Sequence, residues 1–381
     1  MPRPQSDGMD FMHDQPLSGI RVLDFTTLLP GPLASLMLAE AGAEVIKIEP
    51  PGGEAMRGFP PKHGPASALY AMLNRGKTAL EIDLKAKDAT KRIHALLPSV
   101  DIVIEQFRPG VMDRLGLGAE TLRRRYPRLI YCSITGFGQS GPRAPQAGHD
   151  INYLALSGLL ALSYGPADAA VLPPAQIADI GGGSFPAVMN ILLALLQRER
   201  GGSGCHLDIA MTDAMFTFAL FAQARLAISG RAPDNGADLL TGASPRYRIY
   251  AAGDGSPIAV GALEQKFWDA LCDVIGLPEA LRNDRKDPAA TIRGVAACFA
   301  ARSGADWAEP LTQADCCATP LASLAEAFSD PHFRERGLFD FQVETGEGEI
   351  PAIPLPIAPR FRGAHRAASP IAKAMEPLDE R

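Results

Sequence analysis

Short apolar runs of strand character alternate with helix-patterned segments along the N-terminal third of the chain, and this alternation limits the fold more than any other feature. The run IRVLDFT (20–26) is rich in Val, Ile and Phe, PLASLMLAEAG (32–42) carries proline near its start and glycine at its end, and AEVIKIEP (43–50) is a second strand stopped by prolines. That order is a βαβ unit. It repeats through TALEIDL (78–84), KDATKRIHALLPSV (87–100) and DIVIEQF (101–107), then a turn at Arg108, Pro109 and Gly110, a short helix through Leu122, and LIYCSITGF (129–137). Strands alternating with helices predict an α/β fold with a parallel, doubly wound sheet.

At 381 residues the chain exceeds the size of one ordinary core, so a second domain is expected. RYRIYAAGDGSPIAVGAL (246–263) supplies a hairpin signal for it, two alternating strands around a Gly-Asp-Gly turn. The net charge of −6 and the lack of a basic stripe with interleaved aromatics argue against a nucleic-acid partner. Six cysteines without a CxxC pair, and no histidine at ligand spacing, give no support to a metal site or a disulfide scaffold. Reduced thiols in a cytoplasmic setting are the expectation. Residues 1–16 mix charges and prolines and read as a loose arm rather than a secretory signal. PAVMNILLALLQ (186–197) is short for a bilayer and predicts a buried helix, so no membrane partner is expected.

After the first strand the chain reads TTLLPGPLAS (26–35), which lacks the GxGxxG dinucleotide fingerprint. A helix start there could still hold an anion. Lys47, Arg75, Lys77 and Arg108 lie near predicted strand ends and are the candidate phosphate contacts.

Four blocks carry a resemblance: residues 17–53, LNRGKTALEIDLK (73–85), IVIEQFRPGVMDRLGLG (102–118) and LIYCSITGFGQSGP (129–142). In order and spacing they resemble the family III CoA-transferases, a superfamily that also contains racemases of 2-methylacyl-CoA. The resemblance runs from Leu17 into the 330s. It implies an acyl-CoA substrate, with coenzyme A as part of the thioester and no permanently bound cofactor. It also implies a Rossmann-like large domain at 17–229, a smaller α+β domain with its linkers at 230–330, a return to the large domain at 331–381 with IPLPIAPRF (353–361) as outer strand, and an interlocked homodimer.

The superfamily performs two chemistries with one aspartate, which here resembles Asp179 in AQIADIGGGSFP (175–186). As a nucleophile it attacks the thioester carbonyl and leads to a CoA-transferase; as a base opposite a histidine it exchanges the α-proton. The racemase pattern also includes GHDINY (148–153) and a glutamate matched by Glu264 in AVGALEQKFW (259–268). The resemblance therefore implies His149, Asp179 and Glu264 as the catalytic set, with Glu264 supporting His149 and the glycines at 181–183 opening backbone N–H groups toward the thioester oxygen. Asp150 is expected to cap the helix starting near Ile151. Racemisation is the favoured reading and acyl transfer the alternative, because AQIADIGGG departs from the NLLADFAGG of the racemases.

Overall fold

The computed structural model describes residues 15–163, 165, 171–362, 369–370 and 373–374. The predicted arm 1–16 therefore lies outside the described residues except for Gln15 and Pro16. By its internal contacts the chain divides into two units: the first comprises residues 1–153, 175–214 and 335–381, and the second comprises 154–174 and 215–334.

The first unit realises the alternating pattern. In chain order it contains β1 (Arg21–Asp24), α1 (Pro30–Glu40), β2 (Glu44–Glu49), α2 (Ala68–Asn74), β3 (Thr78–Glu81), α3 (Ala89–Leu96), β4 (Ile102–Glu105), α4 (Val111–Arg114), α5 (Ala119–Arg125), β5 (Ile130–Thr135), the first four residues of α6 (Asp150–Leu156), α7 (Phe185–Glu199) and β6 (His206–Ala210). All strand pairs in the main sheet are parallel, and the order is β3-β2-β1-β4-β5-β6, with a closing strand at Lys373–Ala374 beside β3. The order reverses between β1 and β4, the switch point at which open α/β sheets bind their ligands.

Burial on both faces explains why β4 and β5 are apolar at most positions rather than alternating, with Glu105, Ser133 and Thr135 as buried exceptions. Leu23, Ile46, Val103 and Tyr131 pack with Ile93 and Leu122 in one cluster, while Leu33, Leu36 and Met37 of α1 join Tyr70 and Leu73 of α2 in another. The expected outer strand at 353–361 is not formed. Prolines at 354, 356 and 359 remove ladder donors, and this stretch instead ends in a 3-10 turn at Pro359–Phe361.

A charged cluster is sealed where the end of β1, the middle of β2 and the start of β3 meet. Asp24, fully buried at the end of β1, accepts from Thr26 N–H at 2.8 Å and from the hydroxyls of Thr26 and Ser35. Lys77 Nζ lies 3.6 Å from the same carboxylate and donates to Pro32 O and Asn74 Oδ1, each at 2.9 Å. Lys47 pairs with Glu54 at 2.8 Å and donates to Thr26 O at 2.6 Å. Burial pushes the Asp24 carboxyl up, but Lys47, Lys77 and the two hydroxyls outweigh it and hold the group below its ordinary value.

The second unit has a three-stranded antiparallel sheet. Its strands are β7 (Tyr247–Ala251), β8 (Pro257–Gly261) and β9 (Ala318–Pro320), with β8 in the centre. Trp268, Phe299 and Trp307 from its helices pack on Tyr250, Ile258 and Val260. The segments 154–174 and 215–229 belong here rather than with the large domain because their bonds do: Gly236 N–H donates to Leu162 O at 2.8 Å, Asn235 Nδ2 to Gly165 O at 2.6 Å, and Arg225 lies 3.8 Å from Asp238.

Replacing Asp24 with alanine removes the carboxylate beside buried Lys77 and an acceptor shared by two hydroxyls. The expected cost is about 3–5 kcal/mol of unfolding free energy, read as a lower urea midpoint at unchanged slope. Because the folded value of this carboxyl lies below its unfolded one, its contribution is present above the unfolded value and disappears as pH falls through the folded one. An unchanged midpoint at neutral pH would show that the cluster does not support the fold.

Candidate active site

A cavity of about 410 Å³ opens at the carboxyl ends of β1, β4 and β5, lined by Leu28, Pro30, Phe107, Arg108, Ile134 and Gly136 together with His149, Asn152, Tyr153, Asp179 and Met211. Every one of these residues belongs to the first unit. The location is the one that the strand order dictates.

The hexapeptide 148–153 builds one wall, and each of its polar groups has a task. His149 is the residue before α6; its N–H donates to Asn152 Oδ1 at 3.0 Å and its carbonyl accepts from Asn152 N–H at 2.8 Å. This reciprocal pair fixes the histidine backbone and leaves the exposed imidazole facing the cavity. Tyr153 donates to Gly148 O at 2.6 Å. A Cβ at Gly148 or Gly136 would sit 2.6 or 2.5 Å from the Tyr153 ring, so both positions need glycine for that ring to fit.

Asp150 does not cap its own helix as expected. Its Oδ1 accepts from Ala178 N–H at 2.6 Å and Asp179 N–H at 3.0 Å, anchoring the start of the segment that carries Asp179. Asp179 stands in a π-helical turn, Ala178–Ser184, that runs on into α7. Burial pushes its carboxyl up to about 6, the nearby Asp150 charge adds to the rise, and His149 opposes it. The glycines after it are inside the turn. Gly182 and Gly183 are buried, and a Cβ on Gly183 would meet Pro30 at 3.0 Å and Met211 at 3.1 Å. At Gly183 the missing side chain allows close packing of the turn.

The other sequence candidates separate. Arg108 is exposed and lines the cavity. Lys47, Arg75 and Lys77, expected as phosphate contacts, are buried in the fold: Lys47 on Glu54, Lys77 beside Asp24, and Arg75 on Glu40 at 2.8 Å with further bonds to Met72 O and Ile353 O. A buried cation already paired cannot leave its partner without a large penalty, so these three are structural. Glu264 belongs to the second unit, where it is exposed and precedes the helix Gln265–Ile275. Gln106 was not singled out by sequence. Its side chain accepts from Gly31 N–H at 3.1 Å and donates to Thr27 O at 3.0 Å, tying together the two loops at the switch point. Its place directly after a strand at the sheet's carboxyl edge was the available signal.

A doubly wound sheet with an acid and an imidazole in a switch-point cavity defines an α/β enzyme. The comparisons specify which: the model of CoA-transferase family III matches residues 17–372, and the chain belongs to that family. It is 33% identical to human alpha-methylacyl-CoA racemase over 346 residues, 90% of this chain and 86% of that protein. It is also 32% identical to acetyl-CoA:oxalate CoA-transferase of Acetobacter aceti over 90% of this chain and 89% of that protein. A CaiB/BaiF family protein from Brucella suis superposes with a TM-score of 0.78 at 27% identity, covering 96% of this chain and 97% of that one.

Asp150→Asn keeps an oxygen acceptor and removes the charge, so the Asp179 carboxyl should titrate lower and the acid limb of the pH–rate profile should move down. Asp150→Ala also removes the anchor, and turnover should fall by roughly 10²-fold, the order expected when a group in the site is misplaced by about 1 Å. Equal profiles for wild type and Asp150→Asn would show that the two carboxylates do not interact.

Proposed function

We propose that the chain exchanges the α-proton of an acyl-CoA thioester and so inverts a 2-methylacyl centre. The observation that carries this reading is the presence in one cavity of two proton carriers of different chemistry, His149 and an Asp179 carboxyl raised to about 6. Inversion needs a base on one face of the α-carbon and an acid on the other, each working near ambient pH. Leu28, Ile134 and Met211 offer the acyl chain an apolar surface, and Arg108 supplies a cation for the CoA phosphates. Asp150 and Asn152 take no proton in this scheme; they hold Asp179 and His149 in place.

Each direction of the exchange needs the pair to hold a single proton, so one bell-shaped profile governs both. Its acid limb should fall as pH drops through about 6, where Asp179 becomes protonated. The family's second chemistry is kept as an alternative because the oxalate CoA-transferase is nearly as similar as the racemase. There Asp179 would attack the thioester carbonyl, and His149 would be dispensable. Incubation with a 2-methylacyl-CoA in D2O, followed by proton NMR, separates the two readings. Loss of the α-proton signal without an acid acceptor, abolished in His149→Ala, supports exchange. A new acyl-CoA formed only when a free carboxylic acid is added, and retained in His149→Ala, would replace it with transfer.

We also infer that the working form is a homodimer. The 22-residue helical run Ala178–Glu199 is longer than its sequence suggested, and it is not wholly buried. Ala187, Ile191, Ala194 and Leu195 face the interior and Arg198 pairs with Asp101 at 2.9 Å, while Met189, Leu192, Leu193 and Leu196 are exposed. An apolar face of this kind on a helix docked to a sheet suits a second copy of the chain. Leu193→Lys with Leu196→Lys should shift the sedimentation of the protein toward the monomer; unchanged sedimentation of a wild-type dimer would place the interface elsewhere.

A further inference from the structure

A second cavity, of about 170 Å³, borders the turn after β4 and shares Arg108 and Pro109 with the first. Its most buried acid is Glu105, 4% exposed, at the carboxyl end of β4. One Glu105 carboxylate oxygen accepts from Phe107 N–H at 2.8 Å. The Ser133 hydroxyl stabilises the same carboxylate and lies 3.0 Å from His206 Nε2. Glu105 and its neighbour Gln106 thus hold the turn in two directions: Glu105 through the Phe107 amide, Gln106 through the loop after β1. The turn carries Phe107 and Arg108 into the wall of the main cavity.

We propose that Glu105 is a positioning residue whose carboxylate sets the turn 106–109, so that the grip of the main cavity on the CoA portion of its substrate follows the protonation of Glu105. The inference rests on the reading of that cavity as an acyl-CoA site. Burial pushes the Glu105 carboxyl up to about 7; Ser133 and the Phe107 amide pull it down, and the Asp113 and Asp208 charges push it up. The charged and titratable groups around it are Arg108 on the turn, Asp113 on α4, Glu120 on α5, Tyr131 and Cys132 on β5, and His206 and Asp208 on β6. His206 is itself held below its ordinary value by burial, and Asp208 opposes that effect. The sign follows. Above about 7 the ionised carboxylate is a strong acceptor for Phe107 N–H and the turn is fixed; below it the neutral acid accepts weakly and the turn loosens.

The test is the dissociation constant of CoA, by calorimetry from pH 6 to 8, for wild type, Glu105→Gln and Ser133→Ala. The ratio of variant to wild-type constants at each pH cancels titration of the CoA phosphate and of the groups that the proteins share. For Glu105→Gln the ratio should rise by roughly fivefold between pH 6 and pH 8, bending near 7, as expected for exchanging a charged for a neutral acceptor. Ser133→Ala removes a group that favours ionisation, so its bend should move to higher pH. A flat ratio for both variants overturns the role of Glu105 while leaving the main cavity's assignment standing. CoA that fails to bind wild type at any pH overturns both.

Discussion

Asp24 is the charge around which the large unit is organised. A carboxylate with no solvent contact at the end of the central strand has to be neutralised from within, and the groups that do so come from α1, from the middle of β2 and from the start of β3. Lys47 and Lys77 reach it or its neighbours from two different strands, and Lys47 is shared with Glu54 in the loop after β2. The cluster therefore specifies how three parallel strands and the first helix meet, at the sheet edge where the ligand cavity begins. Hydrophobic packing alone would tolerate small shifts between these elements. A set of directional bonds to one carboxylate does not.

The same economy of anchors governs the cavity. His149 and Asp179 are 30 positions apart in the chain, yet a single carboxylate, Asp150, is adjacent to the first and bonded to the backbone of the second. The placement of His149 and Asp179 is thus a property of backbone hydrogen bonds rather than of side-chain packing. It also couples position to acidity, because the anchor's charge is one cause of the raised Asp179 carboxyl.

Strand and helix periodicity made the sheet legible, and the family motifs marked His149 and Asp179. What the chain hid was partnership. Lys47, Arg75 and Lys77 lie near strand ends, as phosphate-binding residues do, and nothing local shows that Glu54, Glu40 and Asp24 arrive to bury them. Asp150 was legible as a cap but its helix was not, since a cap on a segment 28 residues away leaves no spacing to read. The short helix α2 escaped notice because its seven residues fall below a clear helical period, although Ser67 caps it. The return segment failed for a plain reason: IPLPIAPRF has strand-like side chains and the wrong number of backbone donors.

The π-helical turn under Asp179 has its own consequence. A turn of this type holds one residue more than the α-helix into which it merges, and one residue of helix is about 100° of rotation. The direction of the carboxylate is therefore encoded in the length of the chain at 178–184 as well as in which residue occupies position 179. Point substitution leaves that information untouched. Only a deletion or an insertion edits it, so relatives with the same aspartate and a different count of residues in this segment would point its carboxylate in a different direction.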